Sequence, residues 1–272
     1  MKYNTMTLFK SLTALFVCLV TVSAQDESKV KMKVDLVAWG NEIPNLTLKK
    51  PDGEGMSAFS FTYNESINYS GPQVLAIYQK PKGSAPQEGE ESPDSAPRRR
   101  PLPEKKIDLS EAKSPLVAAL FARKAEEPEL VSLVKLPLNS RHITILLAPA
   151  SNGVYQPYVI DDDPKKLPVG KLRVHNLSRF PIRIEQLQGP QKCQLKPNES
   201  FVFRGNSKNR FTYRLSYQKD NQWTPLPSNQ IVLSEDTQSQ FIVLKSDNQH
   251  FVSSDGTRSG FLQSVVLERV VE

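Results

Sequence analysis

Lys31-Met32-Lys33-Val34-Asp35-Leu36-Val37-Ala38-Trp39 is the stretch that decides how this chain is read. Side chains along an extended backbone point alternately to opposite faces, so Met32, Val34, Leu36 and Ala38 fall on one side. Phe59, Phe61 and Tyr63 repeat that spacing, and Val74 to Tyr78 forms a further apolar run. Asn41 to Pro44, Pro51-Asp52-Gly53 and Ser70-Gly71-Pro72 separate these runs with turn residues. Short alternating segments punctuated in this way predict an antiparallel β-sandwich.

Toward the N-terminus the pattern changes. Lys2 and Lys10 flank a polar start, an apolar run spans Leu12 to Val20, and Val22-Ser23-Ala24 precedes the polar Gln25-Asp26-Glu27. That order of charge, apolar run and small residues predicts a secretory signal peptide over residues 1–24, too short and wrongly flanked for a membrane span. No later apolar run approaches the ~20 residues needed to cross a bilayer. Cys18 lies within the leader, and Leu15-Phe16-Val17 before it lacks the small residue that a lipidated cysteine requires. Cleavage after Ala24 then leaves Cys193 alone and no internal disulfide, which suits a bacterial envelope protein better than a small disulfide-built domain. The 35 basic and 29 acidic side chains are unevenly spread, with a net −2 over 25–162 and +6 over 163–272. These charges are dispersed, and ordinary solubility accounts for them; the alternative is that the basic half favours an anionic surface such as acidic polysaccharide or lipid headgroups.

Toward the C-terminus, residues 80–106 hold six prolines and many charges but few apolar groups, which predicts an extended, disordered loop. Arg98-Arg99-Arg100 within it reads as a solvated charge run. A short helix is predicted over 108–126: Asp108 and Glu111 form a capping pair, Ser114-Pro115 offers a second start, and Pro128 stops it. Strands resume at Leu130 to Leu136, His142 to Leu147 and Val154 to Ile160, for about seven in the first set. Asp161-Asp162-Asp163-Pro164 breaks the pattern. A second set follows at Leu172 with Val174, Ile182 with Ile184, Phe201 with Phe203, Phe211 to Tyr217, Ile231 with Leu233, Phe241 to Leu244 and Val265 to Val271. The expected fold is all-β: two immunoglobulin-like antiparallel sandwich domains over 25–163 and 164–272, with the helix and the Pro-rich loop inserted in the first.

Val159-Ile160-Asp161-Asp162-Asp163-Pro164, Pro168-Val169-Gly170, Arg173 to Ser178 and Leu195-Lys196-Pro197-Asn198-Glu199-Ser200 resemble segments of a family of uncharacterised exported bacterial β-sandwich proteins. The resemblance spans residues 130–270 and implies no activity.

Catalytic signatures are missing. No Gly-x-Ser-x-Gly elbow and no Gly-rich phosphate loop occurs, and most acids fall in turns or in the loop, where a carboxylate pair cannot be held. His142, His175 and His250 with Cys193 lack the spacing of a zinc or blue-copper site, and the histidines read as surface or strand-edge residues. Cys193 reads as a small, partly buried side chain. Asp161, Asp162 and Asp163 are the only candidates for a metal, as calcium ligands, although turn initiation explains them as well.

The chain is therefore expected to be a non-catalytic binding or structural protein of the bacterial envelope, with no cofactor. Its expected partner is an envelope protein or polysaccharide, and not nucleic acid. A periplasmic chaperone working by strand addition is the first alternative, with Lys165, Lys166, Lys171 and Arg173 as cleft cations. A carbohydrate-binding module is the second, with Trp223 as an exposed stacking residue.

Overall fold

The computed structural model describes residues 29–81, 114–163, 166–206, 208–245 and 262–270. The expected signal peptide, the Pro-rich loop beyond Pro81, residues 108–113 of the expected helix, Lys165 and His250 lie outside the described residues. What is described is mostly strand, in sheets packed in a sandwich-like or barrel-like arrangement.

The first eight strands are β1 (Lys29–Ala38), β2 (Ile43–Leu48), β3 (Met56–Ser60), β4 (Ile67–Pro72), β5 (Val74–Gln79), β6 (Leu130–Lys135), β7 (His142–Pro149) and β8 (Tyr155–Asp161). They form one sheet in the order β6-β5-β2-β3-β1-β7-β8, with β4 beside β1. The sheet curls on itself around Val34, Leu36, Leu46, Ile77, Ile143, Ile145 and Leu147. Its two ends approach each other where Ser132 Oγ donates to the Tyr155 carbonyl at 3.1 Å.

Nine further strands follow: β9 (Lys171–Asn176), β10 (Ile182–Gln186), β11 (Lys192–Leu195), β12 (Ser200–Arg204), β13 (Arg210–Lys219), β14 (Gln222–Pro225), β15 (Asn229–Val232), β16 (Thr237–Lys245) and β17 (Leu262–Val270). Four of them run in the order β12-β9-β16-β17, and the other five centre on β10 and β13. Between these two sheets lies an aromatic core in which Phe203, Phe211, Tyr213 and Phe241 touch in succession at centroid distances of 4.9, 5.5 and 5.1 Å.

Several features depart from the expected pattern, and Ser70-Gly71-Pro72, expected as a turn, lies in β4 and pairs with β1. Two of the three sheets are mixed rather than antiparallel: β1 pairs parallel with β3 and β7, and β9 pairs parallel with β16, while the sheet centred on β10 and β13 is antiparallel throughout. Alternation of side chains is blind to strand direction, so it could not distinguish the two. Among the described residues the helix α1 is Pro115–Lys124, which ends two residues before the expected 126. It begins at Ser114-Pro115, with Ser114 extended at φ −88 and ψ 128, and packs Leu120 on Tyr78, Leu130 and Leu133.

Strand β1 explains how the two halves meet. Lys29, Lys31 and Lys33 are exposed while Val30, Met32 and Val34 are buried, but from Asp35 to Ala38 every residue is buried. The change marks where β16 and β17 cover the outer face of β1 and β7. Val37, Trp39, Leu146, Ala148 and Ile160 there meet Ile242, Leu244 and Leu267 in an apolar cluster separate from either core.

Candidate functional site

Alongside that apolar cluster runs a line of polar groups, all buried except the half-buried Arg269. Asp35 comes from β1, His142 and Thr144 from β7, and Asp162 from the end of β8. Arg269 comes from β17, Gln240 from β16 and His175 from β9. Asp35, His142, Thr144, Gln240 and His175 sit on faces turned away from the two cores, because each neighbours a core residue in the strand's two-residue period.

Arg269 is the hub. Its guanidinium contacts the Asp35 carboxylate, donates to Asp162 Oδ2 at 2.6 Å, and stacks on the Tyr63 ring at 4.4 Å. Burial alone lowers the affinity of the guanidinium for its proton; Asp162 and Asp35 outweigh that and hold it more firmly protonated than usual. Burial pushes the Asp35 carboxyl up, yet hydrogen bonds from His142 and Ser66 and the charge of Arg269 bring it below the ordinary value. Asp162 also accepts from Thr144 Oγ1 at 2.8 Å and from the Tyr63 hydroxyl at 3.3 Å. Burial beside that carboxylate raises the Tyr63 hydroxyl far above the usual phenol range.

The line continues into the second half. Gln240 Nε2 donates to Asp162 Oδ1, and Gln240 Oε1 lies 2.7 Å from His175 Nε2. A carboxylate only accepts, so the amide orientation is fixed and His175 must carry its proton on Nε2. Burial lowers His175 to about 4.

Ser66, His142 and Asp35 have the composition of a hydrolytic triad but not its geometry. A triad places the imidazole between serine and carboxylate, using opposite ring nitrogens. Here His142 Nε2 faces Asp35 Oδ2 at 2.7 Å and Ser66 Oγ at 3.5 Å, and Ser66 Oγ instead donates to Asp35 Oδ1 at 2.6 Å. Arg269 Nη1 stands 2.8 Å from Nε2 and 3.1 Å from Nδ1. No proton can be relayed from Ser66 to Asp35 through that ring; the arrangement balances buried charge.

Beside the buried line, the two sheets diverge into an open groove of about 700 Å³. Tyr158, Ile160 and Asp161 of β8 form one wall, and Arg173, His175, Ser200 and Val202 of β9 and β12 form the other. Strands β8 and β12 each end their sheet, so two strand edges border the same opening. Phe201, 40% exposed, stands at its rim.

The sequence-derived candidates divide among these places. Lys166 and Arg173 line the groove, whereas Lys171 does not. Lys166 pairs with Asp161, and Arg173 donates to the backbone carbonyls of Asp161 (2.9 Å) and Lys166. Lys166 is thus held to Asp161, and Arg173 fastens both residues to β9. Asp161 and Asp162 point apart, each already matched to a cation, and the described residues contain no group of three or more metal-ligating side chains. Trp223 is half-buried on β14, with the Arg183 guanidinium 4.1 Å above its ring, so that face is not open for sugar stacking. Cys193 is half-buried as expected, and burial raises its thiol.

His142 and His175 overturn the surface reading, since both are buried. The expectation that acids lie in turns fails at Asp35, which is 1% exposed in mid-strand. Asp35 and Arg269 were not singled out from the sequence. The available signal was a charge inside an otherwise apolar strand, Val34-Asp35-Leu36 and Leu267-Glu268-Arg269-Val270. The chain matches no protein-family model and no curated protein.

Proposed function

We propose that the chain is an exported, non-catalytic binding protein of the bacterial envelope, built from two immunoglobulin-like domains that meet near Asp163. The separate cores around Leu36 and Phe211 favour the two-domain reading. The observation that carries the function is the use of the charged groups between the sheets. Asp35, His142, Asp162, Arg269 and His175 are satisfied by one another or by neighbouring side chains, so none is poised to act on a substrate. The groove beside them remains open.

A second reading, strand addition, draws on the edges of β8 and β12 at that groove, which pair with no further strand among the described residues. In it an extended segment of an envelope protein lies along β8, with Phe201 packing against its side chains. Membership of the family of exported β-proteins belongs to this proposal as well.

A photo-crosslinking residue placed at Phe201, with one at the remote and exposed Val232 as control, tests the reading in the native envelope. One discrete adduct from position 201 and none from 232 is expected, on a protein whose N-terminus has become Gln25. Identical adducts from both positions, no adduct from either, or protein recovered in the cytosol with residues 1–24 attached would overturn it.

A further inference from the structure

The outer face of the first sheet carries, at the start of β1, a row of cations that the fold does not use. Lys29, Lys31 and Lys33 alternate with buried Val30, Met32 and Val34, so the three ammonium groups leave β1 from one face, roughly 7 Å apart along the strand. Arg141 joins them, because the Lys33 amide bonds its carbonyl at 2.8 Å and places it beside Lys33. Among the described residues none of these four has an acidic partner. Each lies within a Debye length of the next, ~8 Å at physiological salt, so they act on a ligand together.

The surface is shaped as well as charged. Lys31, Lys33 and Arg141 line a depression of about 530 Å³ whose far side is Asn68 and Ser70 of β4, paired in register with Lys33 and Lys31. Both polar side chains are exposed and make no side-chain hydrogen bond among the described residues. None of the large exposed apolar side chains lines this depression. Membrane docking draws on apolar insertion in addition to charge, which makes a bilayer the poorer match. A trough with cations on one side and amide and hydroxyl groups on the other suits a linear chain bearing both carboxylates and hydroxyls.

We infer that the β1–β4 face binds an acidic polysaccharide, its carboxylates on Lys29, Lys31, Lys33 and Arg141 and its hydroxyls on Asn68 and Ser70. The surface is distinct from the groove at β8, so the two readings fail separately.

The test is binding of the mature protein to immobilised polyuronate across a salt series. It compares wild type, a variant with Lys29, Lys31, Lys33 and Arg141 all replaced by Gln, and a control with Lys192, Lys196, Lys208 and Arg210 all replaced by Gln. The face variant should lose on the order of 10-fold or more in affinity and show a shallower salt dependence, while the control stays within about 2-fold. Equal losses in both variants, or no wild-type binding at low salt, would overturn the inference. So would preferential binding to phosphatidylglycerol vesicles through the same four residues. Circular dichroism of each variant confirms that the fold is retained.

Discussion

The two faces of the β1–β7–β8 region are both buried, yet they are built differently. One face presents Val34, Leu36, Ile143 and Ile145 to a dry core. The other presents Asp35, His142, Thr144 and Asp162 to Arg269 and Gln240 of the second half. The apolar face gains from removing surface from water and accepts any well-shaped partner. The polar face carries a large desolvation cost and accepts only a partner that delivers a guanidinium between two carboxylates. Their difference separates cohesion from alignment: apolar packing holds the strands of each half together, and the ionic line sets how β17 and β16 lie on β1 and β7.

The largest effect is expected at the hub. Arg269→Met leaves two buried carboxylates without their cation and should cost about 4 kcal/mol in urea unfolding. Replacing Asp35 and Asp162 by Asn in the same variant should restore more than half of that loss. On the dry face, Leu36→Ala should cost about 3 kcal/mol through the cavity it leaves, with no rescue from changes on the other face.

The two faces should also differ in their response to pH. His175 binds its proton more weakly in the folded chain, at about 4 against an ordinary 6.5. The unfolded state therefore takes up more protons between those values, and stability should decline as pH falls from 6.5 to 4, by at most about 3 kcal/mol. Asp35, held below its ordinary value, adds stability that is lost at still lower pH, as the pH falls through its folded value. His175→Gln should flatten the decline between 6.5 and 4, whereas Leu36→Ala should leave its slope unchanged. The smallest effect is expected far from both faces. Arg183→Ala uncovers Trp223 and should cost less than about 1 kcal/mol, with a red shift in its fluorescence.

The dry face was legible in the sequence because its residues repeat at period two. The second face was not, since alternation from Met32 to Ala38 looks the same whether the intervening residues meet water or another sheet. Asp35 on that face reads as a solvent-facing acid until Arg269, 234 positions later, is brought to it. His142 and His175 failed for the same reason: their surroundings are assembled from distant strands. Strand β14 was hidden in a polar stretch, although Asp220 and Asn221, both at positive φ, are the residues a two-residue hairpin turn prefers. The exposed lysines of β1 were visible as letters, but their freedom from acidic partners depends on which strands lie beside them.

A double-mutant cycle between Arg269 and Asp162 measures most directly whether the ionic line holds the two halves in place. With Arg269→Met, Asp162→Asn and the pair compared by urea unfolding, the coupling should exceed about 1.5 kcal/mol. Coupling below about 0.3 kcal/mol would mean that the two groups act independently, and the ionic line would not be what aligns the sheets.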